Sequence, residues 1–380
     1  MAESTAGLML GLAACVLLLA SCAKPQEPAA PSGDTGAERV VHYLGWPDSF
    51  PPDLLGRFER ETGIRVVLDV TDGNAGMEAR LMAGRSGYDL VQPSGSFLSR
   101  QIAAGIYQPL DKSLTPNLTN LDPAVVKTMD LYDSGMRHAV PYISTIYGLA
   151  LDVEKVRARL GPDVALDTWQ VVFDPANAAK LADCGIFMYD SPHFVMSVAY
   201  LAAGLDPASE SEADLARVEA LLRGLRPHVR KIESNTGVTD LADRAHCAMI
   251  LNSADLQVAR DRVREAGGNF AYEFIVPRER GTHGWDVLAI PFDAPHPGEA
   301  HALIDFLLRP DVVAAVVNFQ GVPIDVPAAR PLLRADLRDD PLISPTPEMR
   351  ARQYPDRMPS PEASRARARV WTRFVANDYP

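Results

Sequence analysis

An α/β fold divided between two lobes is the class this sequence predicts. Three observations carry it. Short apolar strands and amphipathic helices alternate from residue 40 to residue 91, a second alternation runs from 147 to 266, and 380 residues at 47% hydrophobic content exceed what one core accommodates. Strand and helix in alternation imply a mainly parallel sheet covered by helices.

The chain begins with an apolar run at 8–20, of signal-peptide length and short for a bilayer span. Leu19, Ala20, Ser21 and Cys22 follow, and they resemble the lipobox at which bacterial lipoproteins are cut before a cysteine that then receives lipid. The expected order is therefore a lipoprotein signal peptide at 1–21, lipidation at Cys22 and attachment to the membrane. The segment ahead of the apolar run carries Glu3 and no Lys or Arg, whereas export signals normally carry positive charge there. Residues 22–38 hold Pro25, Pro28, Pro31, Gly33 and Gly36 among small polar residues, too little apolar surface to fold, and read as a flexible tether.

The folded part opens with a strand at 40–44 and a helix at 52–61 carrying Leu54, Leu55 and Phe58 on one face, stopped by Gly63. A β-branched strand at 64–70, a short helix at 77–83 and a strand at 88–91 complete the first series. Ligands of such sheets sit beyond the carboxyl ends of the strands, which directs attention to the loops after Leu44 and Val91. The second series reads as a strand at 147–151, helices at 153–160 and 175–182, a strand at 186–189, helices at 194–203 and 212–225, a strand at 247–251 and a helix at 254–266. A strand at 287–290 and helices at 298–308 and 312–319 follow.

With the leader removed and Cys22 acylated, only Cys184 and Cys247 of the four cysteines remain in the folded part. In an exported protein two thiols suggest one disulfide, with two separately buried free thiols as the alternative. The net charge of −12 disfavours nucleic acid as a partner. No HExxH, no G-x-S-x-G elbow, no phosphate-cradling or dinucleotide-binding glycine loop occurs, and the eight histidines show no metal-ligand spacing. We therefore expect no enzyme, no cofactor and no metal.

Five stretches, FERETGIRVVLDV (58–70), LMAG (81–84), YDLVQPSGSFLSRQ (88–101), QPLDK (108–112) and LLRPDVV (307–313), resemble in order and spacing the putrescine- and spermidine-binding proteins of polyamine ABC transporters. The resemblance implies a two-lobed periplasmic binding protein fold with two crossovers and a central cleft. It places lobe one at 39–144 plus 270–330 and lobe two at 145–269 plus 331–380. It also implies that Cys184 and Cys247 are bonded, that the ligand is a polyamine or related cationic amine, and that the partner is an ABC permease in the cytoplasmic membrane. The expected protein is a monomer in the periplasm; a ligand sensor that signals to a membrane receptor without supporting uptake is the second reading.

A linear polyamine needs carboxylates at matched separations, for charge-assisted hydrogen bonds, and aromatic faces worth about 0.5–2 kcal/mol each along its methylenes. By resemblance the ligand-binding residues are Trp46, Asp48, Ser94, Asp190, Asp255, Trp285 and Asp286. Asp255 also has a purely structural reading, as an acid in the first turn of a helix capped by Asn252. Several positions depart from the family: Pro47 and Ser49 flank Trp46 and Asp48, Phe194 stands where putrescine binders carry glutamate, Asn252, Gly284 and Val322 replace aromatics, and Trp285 is displaced by one residue, which on a strand turns it to the opposite face.

Overall fold

The computed structural model describes residues 39–47, 49–71 and 73–379. The expected signal peptide, Cys22, the tether up to residue 38 and Asp48 lie outside the described residues.

Among the described residues ten strands form one sheet: β1 (Val40–Gly45), β2 (Arg65–Val70), β3 (Leu90–Val91), β4 (Ala139–Asp152), β5 (Ile186–Tyr189), β6 (Val229–Glu233), β7 (Ala248–Asn252), β8 (Tyr272–Ile275), β9 (Gly281–Ala289) and β10 (Gln353–Pro355). Their spatial order is β2-β1-β3-β9-β4-β7-β5-β6, with β10 added on β9 and β8 on β4. The two ends are parallel, β2-β1-β3 and β7-β5-β6, and the antiparallel pair β4 and β9 joins them.

The first helix, Leu54–Thr62, follows from spacing alone. Leu54 and Phe58, four apart, lie on one buried face, and Gly63 at φ 69° ends the helix with its N–H on Glu59 O. Phe58 then packs on Phe306 of the helix Pro297–Leu307.

Two large apolar cores result. The first gathers Val41, Tyr43, Leu90, Val140, Val287 and Leu303, among others. The second gathers Leu151, Trp169, Ile186, Val198, Ile250 and Phe374 on one face of the β7-β5 sheet, while Phe187, Met249 and Leu256 pack on the other face. Leu333, Leu337 and Ile343 pack in the first core, although the division by resemblance gave 331–380 to lobe two. The chain passes between the cores along β4, back through β8 and β9, and across again between Ile343 and β10. Ile146, Val276 and Leu342, one from each passage, form a small cluster of their own. Gly148 permits the close approach of β8 to β4, since an added Cβ would stand 2.5 Å from Ile275 O.

Cys184 and Cys247 are disulfide-bonded, with Cα atoms 5.5 Å apart. The bond ties the residues preceding β5 and β7, neighbours in the sheet.

Candidate functional site

β9 carries the central acid. Alternation along it sends Trp285 and Asp286 to opposite faces. Asp286 forms an isolated antiparallel bridge with Ser94, the residue that opens the helix Gly95–Ala103. Gly95 makes this approach possible, because a Cβ there would meet Trp285 O at 3.1 Å. Ser94 Oγ donates to Asp286 Oδ1 at 2.8 Å, while Asn74 holds Ser94 through Nδ2 to Oγ at 3.0 Å and accepts the Ser94 N–H at 2.8 Å. Asp286 retains some accessible area but lies deep in the fold, and that burial pushes its carboxyl up to about 7, against the opposing pull of donors on Ser94 and Trp46. The buried Trp46 indole N–H has no hydrogen bond of ordinary geometry, so it is directed at the carboxylate rather than seated on it.

Asp255 comes from the other core, in the first turn of the helix Ser253–Glu265. Asn252, the last residue of β7, caps that helix by accepting the Asp255 N–H at 2.9 Å. The structural reading of Asp255 is thus correct for its backbone, yet its carboxyl is buried and raised to about 6, with burial outweighing the Asn252 hydrogen bond. Neither Asp286 nor Asp255 is ion-paired with another described residue. A buried carboxylate without a counter-charge is costly and lends itself to a cationic partner.

Tyr147 on β4 lies within the electrostatic reach of both acids. Its hydroxyl is pushed well up by burial and further by Tyr189, Asp356, Asp286 and Asp255. Its ring stacks on Phe194, centroids 3.9 Å apart. Tyr189, at the end of β5, is raised to about 12 by burial and then by Asp255. Aromatic surface therefore stands beside the acids from both cores.

The site residues expected from sequence are thus unequally placed. Trp46, Ser94 and Asp286 are brought together, and Asp255 shares with Asp286 an electrostatic influence on the Tyr147 hydroxyl. Asp48 lies outside the described residues. Asp190 is not brought to this group: it is exposed at the end of β5, and its carboxylate accepts the Trp371 indole N–H at 3.1 Å. Trp285 turns into the first core, donates Nε1 to Asp325 Oδ2 at 2.8 Å and lies against His283. Tyr147, Tyr189 and Asp356 were not singled out from sequence. For the tyrosines the available signal was an aromatic residue at the mouth of a strand; for Asp356 there was none. An apolar cavity lined by Leu121, Ile143 and Val316 lies inside the first core, apart from these acids. Among the described residues no His, Cys, Asp and Glu group could hold a metal, and no helix is long and apolar enough to cross a membrane.

Residues 53–345 match the model of the bacterial extracellular solute-binding proteins. The chain is 38% identical over 338 residues to the putrescine-binding periplasmic protein SpuD of Pseudomonas aeruginosa, covering 88% of this chain and 92% of that one. It is 38% identical over 337 residues to the putrescine-binding periplasmic protein PotF of Escherichia coli, covering 88% and 91%. The fold matches the crystal structure of the spermidine/putrescine ABC transporter substrate-binding protein PotD from Streptococcus pneumoniae with a TM-score of 0.76 at 19% identity, covering 89% of this chain and 99% of that one. With its two α/β cores joined by shared strands and its sequence matched over most of its length, the chain belongs to the bacterial extracellular solute-binding protein family.

Proposed function

We propose that this protein captures a polyamine or related cationic amine between its two lobes in the periplasm and delivers it to an ABC permease, binding without chemical turnover. The observation that carries the reading is that Asp286 and Asp255 both bear on the Tyr147 hydroxyl. They are two buried acids from different cores, neither ion-paired with a described residue, and both are pushed upward by burial. A diamine supplies the two missing counter-charges, and Trp46, Tyr147 and Phe194 supply faces for its methylenes. Two relatives at 38% identity carry the description putrescine-binding periplasmic protein, which supports the same ligand class.

Secretion is part of the proposal. The disulfide between Cys184 and Cys247 suits an oxidising compartment. Cleavage before Cys22 and lipidation there would anchor a monomer to the membrane beside its permease. The lobes, 39–144 with 270–330 and 145–269 with the C-terminal part of 331–380, the stretch around Leu333–Ile343 going with the first core instead, would close over the ligand by bending where β4 and β9 cross between them. Isothermal titration calorimetry of the purified protein against putrescine, spermidine, spermine, cadaverine and agmatine tests the ligand class. Binding of none of the five overturns it.

A further inference from the structure

The face of β9 turned away from Asp286 borders a second pocket. Alternation puts His283 and Trp285 on that face, their ring centroids 4.1 Å apart. The parallel pairing of β10 sets Gln353 beside Gly281 on the same face. The helix Pro123–Met129 and Arg350, from the helix Pro347–Ala351, form the remaining walls, and the exposed Arg280 stands at the rim. The space between them is about 200 Å³. His283 Nε2 and Gln353 Nε2 are buried without a hydrogen-bond partner, and their residues are 5% and 6% exposed. Burial, and after it the charge of Arg350, holds the His283 imidazole down to about 3, so the ring is neutral. Arg350 has Asp122 at 3.3 Å. No described carboxylate pairs with Arg280, whose Nη2 donates to Gln353 O at 2.9 Å and whose guanidinium lies 5.1 Å from the Tyr354 ring centroid. Arg280 is also held at φ 97°, a conformation costly for a residue with a Cβ. Among the described residues no Asp or Glu lines the pocket, in a chain of net charge −12.

We infer that this pocket binds a small oxyanion, a carboxylate or a phosphate, held by Arg280 and Arg350 and oriented by Gln353 and His283. A cation is repelled by the two guanidiniums, and a neutral molecule leaves Arg280 without a counter-charge. An oxyanion presents lone pairs in several directions, so it accepts from a guanidinium and from the Gln353 amide at once, in charge-assisted bonds. It also satisfies buried nitrogens that are costly to leave unpaired. The space falls short of the roughly 300 Å³ at which pockets for drug-sized ligands begin, which confines the occupant to a small anion. The pocket and the acids lie on opposite faces of β9, so the inference does not depend on what the acids bind.

The test is calorimetric titration of the purified protein with sodium phosphate and with sodium benzoate, at ionic strength held constant with sodium chloride, alongside thermal melts. Wild type should bind at least one of the two at one-to-one stoichiometry. Phosphate alone identifies a phosphoryl anion, benzoate alone a carboxylate with its ring against Trp285, and both together an oxyanion site without preference. Arg280→Gln should weaken that binding at least fivefold. Gln353→Leu, which keeps the charge and removes the buried donor, should weaken it at least threefold. Arg278→Gln makes the same charge change two residues away and outside the pocket, and should stay within twofold of wild type. The inference is overturned if wild type binds neither anion, which leaves the pocket to water, or if Arg280→Gln binds as wild type does. It is equally overturned if Arg278→Gln weakens binding as much as Arg280→Gln, which reduces the effect to net charge. Should Gln353→Leu lose its cooperative melt, the exposed Arg280 and Arg278 variants decide alone.

Discussion

Ser94 Oγ sits 2.8 Å from Asp286 Oδ1, although the two residues are 192 positions apart in the chain. Ser94 also opens a helix, so the hydroxyl that steadies the acid is itself fixed by Asn74 and by the start of regular structure. The acid is therefore pre-oriented, and the cost of ordering it is met in folding rather than in binding.

From this follows the effect of removing it. Asp286→Ala should lower affinity for the amine at least tenfold, since one partner of a buried charge-assisted pair is lost. Ser94→Ala should weaken binding less, because the carboxylate remains but its ionised form loses a donor. Calorimetry of both variants checks the order; an Asp286→Ala protein with wild-type affinity would remove that residue from the site.

Binding should depend on pH through the same group. Asp286 is raised to about 7 and Asp255 to about 6, and an ammonium ion needs the ionised form. Affinity should therefore fall about tenfold between pH 8 and pH 6 as Asp286 protonates. The effect on folding has the opposite sense. Both pKa values are higher in the folded state than in the unfolded chain, so the folded state holds the extra protons. These acids contribute stability at pH 4 that is lost as pH rises through 6 and 7. Thermal melts of the ligand-free protein across this range should show the loss, and Asp286→Asn should flatten it.

Asp255 separates binding from stability. Asp255→Asn removes a buried charge and keeps the N–H that Asn252 caps, so amine affinity should drop about tenfold with little loss of stability. Asn252→Ala removes the cap and should cost about 1 kcal/mol in a denaturant melt, with the acid still present. Equal effects of the two variants on affinity would show that Asp255 acts only through its helix.

Trp285 should behave as a packing residue. Its indole is one of two donors to the buried Asp325 carboxylate, the other being Ser144 Oγ at 2.5 Å, and burial raises Asp325 to about 6. Trp285→Phe should cost about 1–3 kcal/mol of stability and change amine affinity less than twofold. A tenfold loss of affinity at unchanged stability would return Trp285 to the binding surface.

The local pattern revealed elements better than it revealed partners. The helix at Leu54–Thr62 followed from spacing because it buries one face against its own neighbours, and β7 from a short continuous apolar run, buried on both faces. β4 was legible only as 147–151, since Ala139–Ile146 is buried on both faces, carries the polar pair Ser144 and Thr145 and is interrupted by Pro141, so no alternation marks it. Asp190 and Asp286 each flank an apolar run, 186–189 and 287–290, and look alike in sequence, although Asp286 lies inside β9. What distinguishes them is Trp371, about 180 residues further along, which the C-terminal helix Pro361–Ala376 lays against Asp190. Asp356 is the extreme case. Its place depends on β10 pairing with β9 about 70 residues earlier, and nothing local to the residue encodes that contact.

The disulfide gives the last prediction. It links residues 63 apart in sequence, and closing a loop of that length restricts the unfolded chain by about 4 kcal/mol in the chain-entropy picture. The bond joins β5 to β7 within the second core, away from Asp286, so its removal should loosen the lobe without altering the chemistry of the acids. A Cys184→Ala, Cys247→Ala double variant should lose about 2–4 kcal/mol in denaturant melts and, where folded, bind the amine within threefold of wild type. A reducing agent should shift the wild-type melt in the same direction and leave the double variant unmoved, which identifies the disulfide itself, rather than altered side-chain packing, as the source.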